Sequence, residues 1–103
     1  MRAKLAGPID AMTPGPVEAV VTEDVMKSGR PFVPSGSGMV CRASRGEGGR
    51  VGLYCDTIRT ADGVFSFSGL GVGDGGHAGL RVVNSGVPVG TSFVVYVTAA
   101  AML

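Results

Sequence analysis

Apolar and polar residues alternate in short runs along most of this chain, and the runs are broken by glycine, proline or an Asp-Gly pair. The clearest stretch lies between Met39 and Ser68, written MVCRAS, RGEGGR, VGLYCDTI, RTADG and VFSFS. Three apolar runs separated by two turn signals predict a three-stranded meander. Met39, Cys41 and Ala43 share one face of the first strand, and Val51, Leu53 and Cys55 share one face of the second. Asp62-Gly63 is a hairpin signal, because both residues tolerate the positive φ of a tight turn. In the third strand Phe65 and Phe67 face one way and the serines the other, which predicts an inward phenylalanine face.

The flanking segments follow the same logic. Val17 to Thr22 alternates and predicts a first strand, while residues 23–27 are ambiguous and compatible with a helical turn. Phe32-Val33 starts a short strand bounded by Pro31 and Pro34, which favours an edge position because a ladder donor is missing there. Gly69 to Gly79 predicts a glycine-dense loop, Leu80 to Asn84 a strand, and residues 85–90 a turn. Thr91 to Thr98 is the longest predicted strand and is apolar on both faces, as expected of a strand covered on both sides. Together these runs predict an all-β domain, a small sandwich or barrel of about seven short antiparallel strands.

Met1 to Pro16 carries Gly7, Pro8, Pro14, Gly15 and Pro16 and shows no sustained period. Its prolines exclude a long helix. It predicts an extended arm over residues 1–16, ahead of a single β domain over residues 17–103.

Composition sharpens the picture. A chain of 103 residues makes one domain with a modest core. Yet 45% of its residues are hydrophobic, 17% are charged and the mean hydropathy is +0.34. That surplus of apolar surface points to an oligomer or a subunit of a larger assembly. The net charge is +1, and Arg42, Arg45, Arg50 and Arg59 are interspersed with Glu47 and Asp56. Without a basic stripe and stacking aromatics, nucleic acid is not an expected partner. No stretch reaches the roughly 18 apolar residues of a membrane helix, and the start of the chain does not read as a signal peptide. These features place the chain in a reducing cytoplasm.

The side chains that could carry chemistry are few. Cys41 and Cys55 fall opposite each other in the expected hairpin, within geometric reach of a bridge, but a reducing compartment argues for two buried thiols. Two thiols alone do not make a metal site. Gly71, Gly73 and Gly76 have the spacing GxGxxG, but a strand rather than a helix is expected to follow, so no helix terminus is expected to hold a phosphate. Asp74 among glycines faintly resembles one copy of a calcium-binding glycine repeat. His77 is the sole histidine, and a triad with Asp74 and Ser66, Ser68, Ser85 or Ser92 lacks a nucleophile elbow. No catalytic residue, cofactor or metal site is therefore expected.

In layout the chain resembles the small β-rich head decoration, or cement, proteins of tailed phages. The resemblance rests on the arm of Met1 to Pro16, on compact strands such as VGLYCDTI and VFSFSG, and on the lack of catalytic residues. It implies a non-enzymatic virion subunit made in the host cytoplasm, an oligomer such as a trimer, clamping the major capsid protein or other assembly subunits. Leu5, Ile9 and Met12 of the arm, with Met102 and Leu103 of the apolar tail, are the expected anchors. Two alternatives from other classes are a small β-sandwich module that binds a ligand or a protein, for which Tyr54 and Tyr96 are the available surface aromatics, and a small hydrolase using His77.

Overall fold

The computed structural model describes residues 1–100, and they form a closed antiparallel β-barrel. The strands are β1 (Arg2–Leu5), β2 (Ile9–Asp10), β3 (Pro16–Val21), β4 (Val25–Lys27), β5 (Arg30–Val33), β6 (Gly38–Arg45), β7 (Arg50–Thr60), β8 (Gly63–Val72), β9 (Leu80–Arg81), β10 (Gly86–Val87) and β11 (Ser92–Ala100). Six of them close the ring in the order β6, β3, β1, β11, β8, β7 and back to β6, and β9 adds to β7. Closure leaves the ring without open edges, which removes the usual route to edge-to-edge aggregation. The pairs β2–β10 and β4–β5 are separate two-stranded ribbons.

The expected meander is present as β6, β7 and β8, joined by turns at residues 46–49 and at Ala61-Asp62. The hairpin turn thus falls one residue before the expected Asp62-Gly63 pair, and Gly63 opens β8 opposite Thr60. Inward positions follow the alternation, with Met39, Cys41 and Ala43 buried on β6 and Val51, Leu53 and Cys55 on β7. The alternation then breaks, since the next buried residue on β7 is Ile58. Register shifts explain the break. They fall between Val40 and Cys41, between Cys55 and Thr57, and between Val97 and Ala99. All three flank one lateral row, Cys41–Cys55–Gly69–Val97, so neighbouring strands are irregular at the same level. Bulges of this kind bend strands and increase their twist, as closing a small barrel requires.

The arm expected over residues 1–16 is a correction. Arg2–Leu5 is a barrel strand between β3 and β11, with Ala3 opposite both Val21 and Phe93. Ala3 and Leu5 are buried at 1% exposure and Ile9 at 4%. Four residues are too few for a period to show, and the prolines that suggested an arm sit outside the ladder or at its start. Pro8 lies between strands, and Pro16 is the first residue of β3, where proline is tolerated.

Smaller expectations also shift. The ambiguous segment 23–27 contains β4 rather than a helical turn, paired to β5 across Ser28 and Gly29, both at positive φ. Only Leu80–Arg81 of the expected 80–84 strand is extended in the sheet. The glycine-dense segment is a loop only from Gly73 onward, because β8 runs to Val72. Gly69 and Gly71 are buried members of that strand. A methyl group on Gly69 would lie 2.5 Å from Val95 Cγ1, and one on Gly71 would lie 2.9 Å from Leu53. Glycine is used there for close approach inside the barrel, not for flexibility.

Candidate docking face

Because side chains alternate across each strand, the residues between the core positions point outward. On β7, β8 and β11 the exposed large apolar residues include Tyr54, Leu70 and Tyr96, with Val64 and Val97 elsewhere on β8 and β11. Tyr54 stands opposite Leu70, and Leu70 stands opposite Tyr96, so the three form one lateral row across the barrel wall. They are 41%, 50% and 61% exposed. At about 4.8 Å between strands the two tyrosines sit roughly 10 Å apart with the leucine between them. The Tyr54 hydroxyl and Ser68 Oγ are 3.0 Å apart, a hydrogen bond that holds the ring along the wall. Arg42 on β6 continues the row beyond Tyr54.

A second exposed apolar group lies on the β4–β5 ribbon, where Met26 is 55% exposed and the Lys27 ammonium sits 5.1 Å from the centre of the Phe32 ring. Ribbon and row are both displayed by strands whose opposite faces or ends are anchored in the core, through Val33 in the first case and Leu53, Cys55 and Val95 in the second.

The anchors expected from the sequence are not together. Leu5 and Ile9 belong to the core, so neither is available to a partner, and this is a correction with the same cause as the arm. Met12 is 66% exposed, in the turn between β2 and β3. Met102 and Leu103 lie outside the described residues. Tyr54, Leu70 and Tyr96 carried no signal as a group, because 16 and 26 residues separate them and only strand register aligns them.

The residues considered for catalysis are also apart. Asp74 pairs with Arg81 at 3.3 Å and Arg50 at 3.8 Å. A hollow of about 340 Å³ is bordered by Asp74 and Ser92, and His77 is not among its lining residues. His77 is exposed, and its carbonyl oxygen accepts from Gly73 N and from Arg50. Ser68 is engaged by Tyr54. Arg50 ties the glycine loop down: its Nε donates to Ala78 O at 3.0 Å and its Nη2 to Gly79 O at 2.8 Å. In the GxGxxG stretch Gly71 is inside β8, a single 3₁₀ turn spans Asp74–Gly76, and β9 follows. No helix begins there to present its amides to a phosphate. Among the described residues no three His, Cys, Asp or Glu side chains are grouped to hold a metal ion.

Both cysteines are spoken for. Cys41 and Cys55 form a disulfide between facing positions of β6 and β7, with Cα atoms 3.9 Å apart. The expectation of two reduced thiols is corrected. The hairpin register brings the pair face to face, within reach of a bond, and forming that bond takes an oxidant that the argument from compartment did not supply.

No protein-family model matches the chain, and no curated protein matches it in sequence.

Proposed function

We propose that the protein is a non-enzymatic structural subunit of a viral (phage) particle, a decoration protein that docks on the capsid lattice through the outer face of β7, β8 and β11. The observation that carries this reading is the aligned, exposed row Tyr54–Leu70–Tyr96. Two tyrosines around an aliphatic residue form an apolar centre, and the Tyr54 hydroxyl is partnered by Ser68, a combination of apolar body and polar tip favoured at protein interfaces. Arg42 and the serines and threonines of the neighbouring positions supply a polar rim. Burying the exposed remainder of the three side chains contributes about 3 kcal/mol. A specific interface covers about 800 Å² per partner, so the row acts as its centre and surrounding residues complete it.

With β1 inside the barrel, the clamp role passes from the first sixteen residues to this face. The decoration reading keeps as supports the small size and the surplus apolar surface, and the closed ring gives the face a continuous wall. The partner is the capsid lattice, and a homo-oligomer such as a trimer multiplies the contacts on it. The test is co-sedimentation of purified protein with undecorated particles. Tyr54→Ser combined with Tyr96→Ser weakens binding at least tenfold while the melting curve stays cooperative, and His77→Ala binds as the parent does. Unchanged binding of the double variant sinks the docking face. Saturable binding of an oligosaccharide that the same variant loses favours the ligand-binding module instead.

A further inference from the structure

We propose that the Cys41–Cys55 disulfide is a sealed bond, formed while the β6–β7 hairpin is still open and closed off from thiols once the barrel is complete. This stands apart from the docking reading. Cys41 is 2% exposed and Cys55 0%. Laterally the bond is flanked by Val17 of β3, opposite Cys41, and by Gly69 of β8, opposite Cys55. The Gly69 position is itself filled, since any added carbon there meets Val95 and Phe67. Thiol–disulfide exchange needs a thiolate to reach one sulfur. Here the approach is blocked by paired strands on the outside and packed side chains on the inside, so exchange waits for strands to separate.

The same geometry orders the steps of formation. The two cysteines are 14 residues apart across one turn, whereas the ring is completed by pairing of Ala3 with Phe93, from opposite ends of the chain. Local contacts form before contacts of such long separation. In the open hairpin a low-molecular-weight disulfide is the oxidant. One cysteine thiolate attacks it, giving a mixed disulfide and releasing one thiol. The second thiolate then attacks the mixed disulfide at the protein sulfur and releases the other thiol. Two protein thiols are oxidised, and the donor takes up two electrons and two protons. The chain therefore meets an oxidant before its barrel closes, and the bond then survives in reducing surroundings. It records the redox conditions in which the chain folded.

The experiment follows free thiols by alkylation and mass measurement. Protein refolded from denaturant with a pair of reduced and oxidised glutathione is expected to show no free thiol after unfolding. That protein is then exposed to dithiothreitol in native buffer and, separately, in denaturant. Reduction at least tenfold slower in native buffer supports the sealed bond. Reduction less than tenfold slower overturns it, as does a refolded sample that retains two free thiols.

Discussion

Ala3 stands opposite Phe93, at the centre of the β1–β11 ladder that joins the two ends of the chain into one ring. Next to it, Leu5 N donates to Thr91 O at 2.9 Å and Gly90 N donates to Leu5 O at 2.9 Å. Removing residues 1–15 takes away β1 and leaves β3 and β11 with unpaired edges and an exposed core. The truncated protein is expected to lose its cooperative melt. A milder probe is Leu5→Ala, which deletes a side chain 1% exposed and costs about 2–5 kcal/mol. Denaturant titration of both measures this, and a truncated protein that melts as the parent does contradicts the ring.

The disulfide restricts the unfolded chain. Replacing Cys41 and Cys55 together by alanine lowers stability by about 2–4 kcal/mol, in line with a bridge closing a loop of this length. Comparison of the variant with the oxidised parent by urea unfolding gives the value. Equal stabilities would mean that the bridge does not stabilise the fold.

Glycines in β8 are expected to be intolerant of a methyl group. Gly69→Ala places a carbon 2.5 Å from Val95 Cγ1 and 2.8 Å from the Phe67 ring, both buried, so these packed side chains have to shift. Overpacking of this order costs about 1–3 kcal/mol. Gly38→Ala is the control, because its nearest neighbour, Arg59 Cβ, lies 3.9 Å away. Thermal melts of the two variants should differ clearly, with Gly69→Ala the lower.

Arg50, rather than His77, is the residue that organises the glycine loop. Arg50→Met retains the stem but removes the donors to Ala78 O and Gly79 O, and is expected to cost about 1–2 kcal/mol. It should also speed amide exchange over residues 73–79. His77→Ala, at an exposed site, is expected to stay within about 0.5 kcal/mol. A larger effect from His77 than from Arg50 would reverse this assignment.

Most of the wall was legible in the sequence, since period-two alternation reports which side of a strand meets the core. The runs around Val17, Met39, Val51 and Phe67 gave strands at the expected places with the expected faces inward. The class of fold followed from their number and from the glycine and proline between them. Alternation is a local signal, however, and carries no information about which strand lies beside which. The four residues of β1 are too short to show it, so only pairing with Val21 on one side and Phe93 on the other made them a strand. Gly69 and Gly71 read as loop residues in the sequence, and only the packing of Val95 and Leu53 against them explains glycine inside a strand. Cys41 and Cys55 could be placed opposite each other from the turn, while their bond and its enclosure depended on Val17 and Gly69 from other strands. Tyr54, Leu70 and Tyr96 are distant along the chain, and strand register alone, fixed by burial of the opposite faces, brought them into one row.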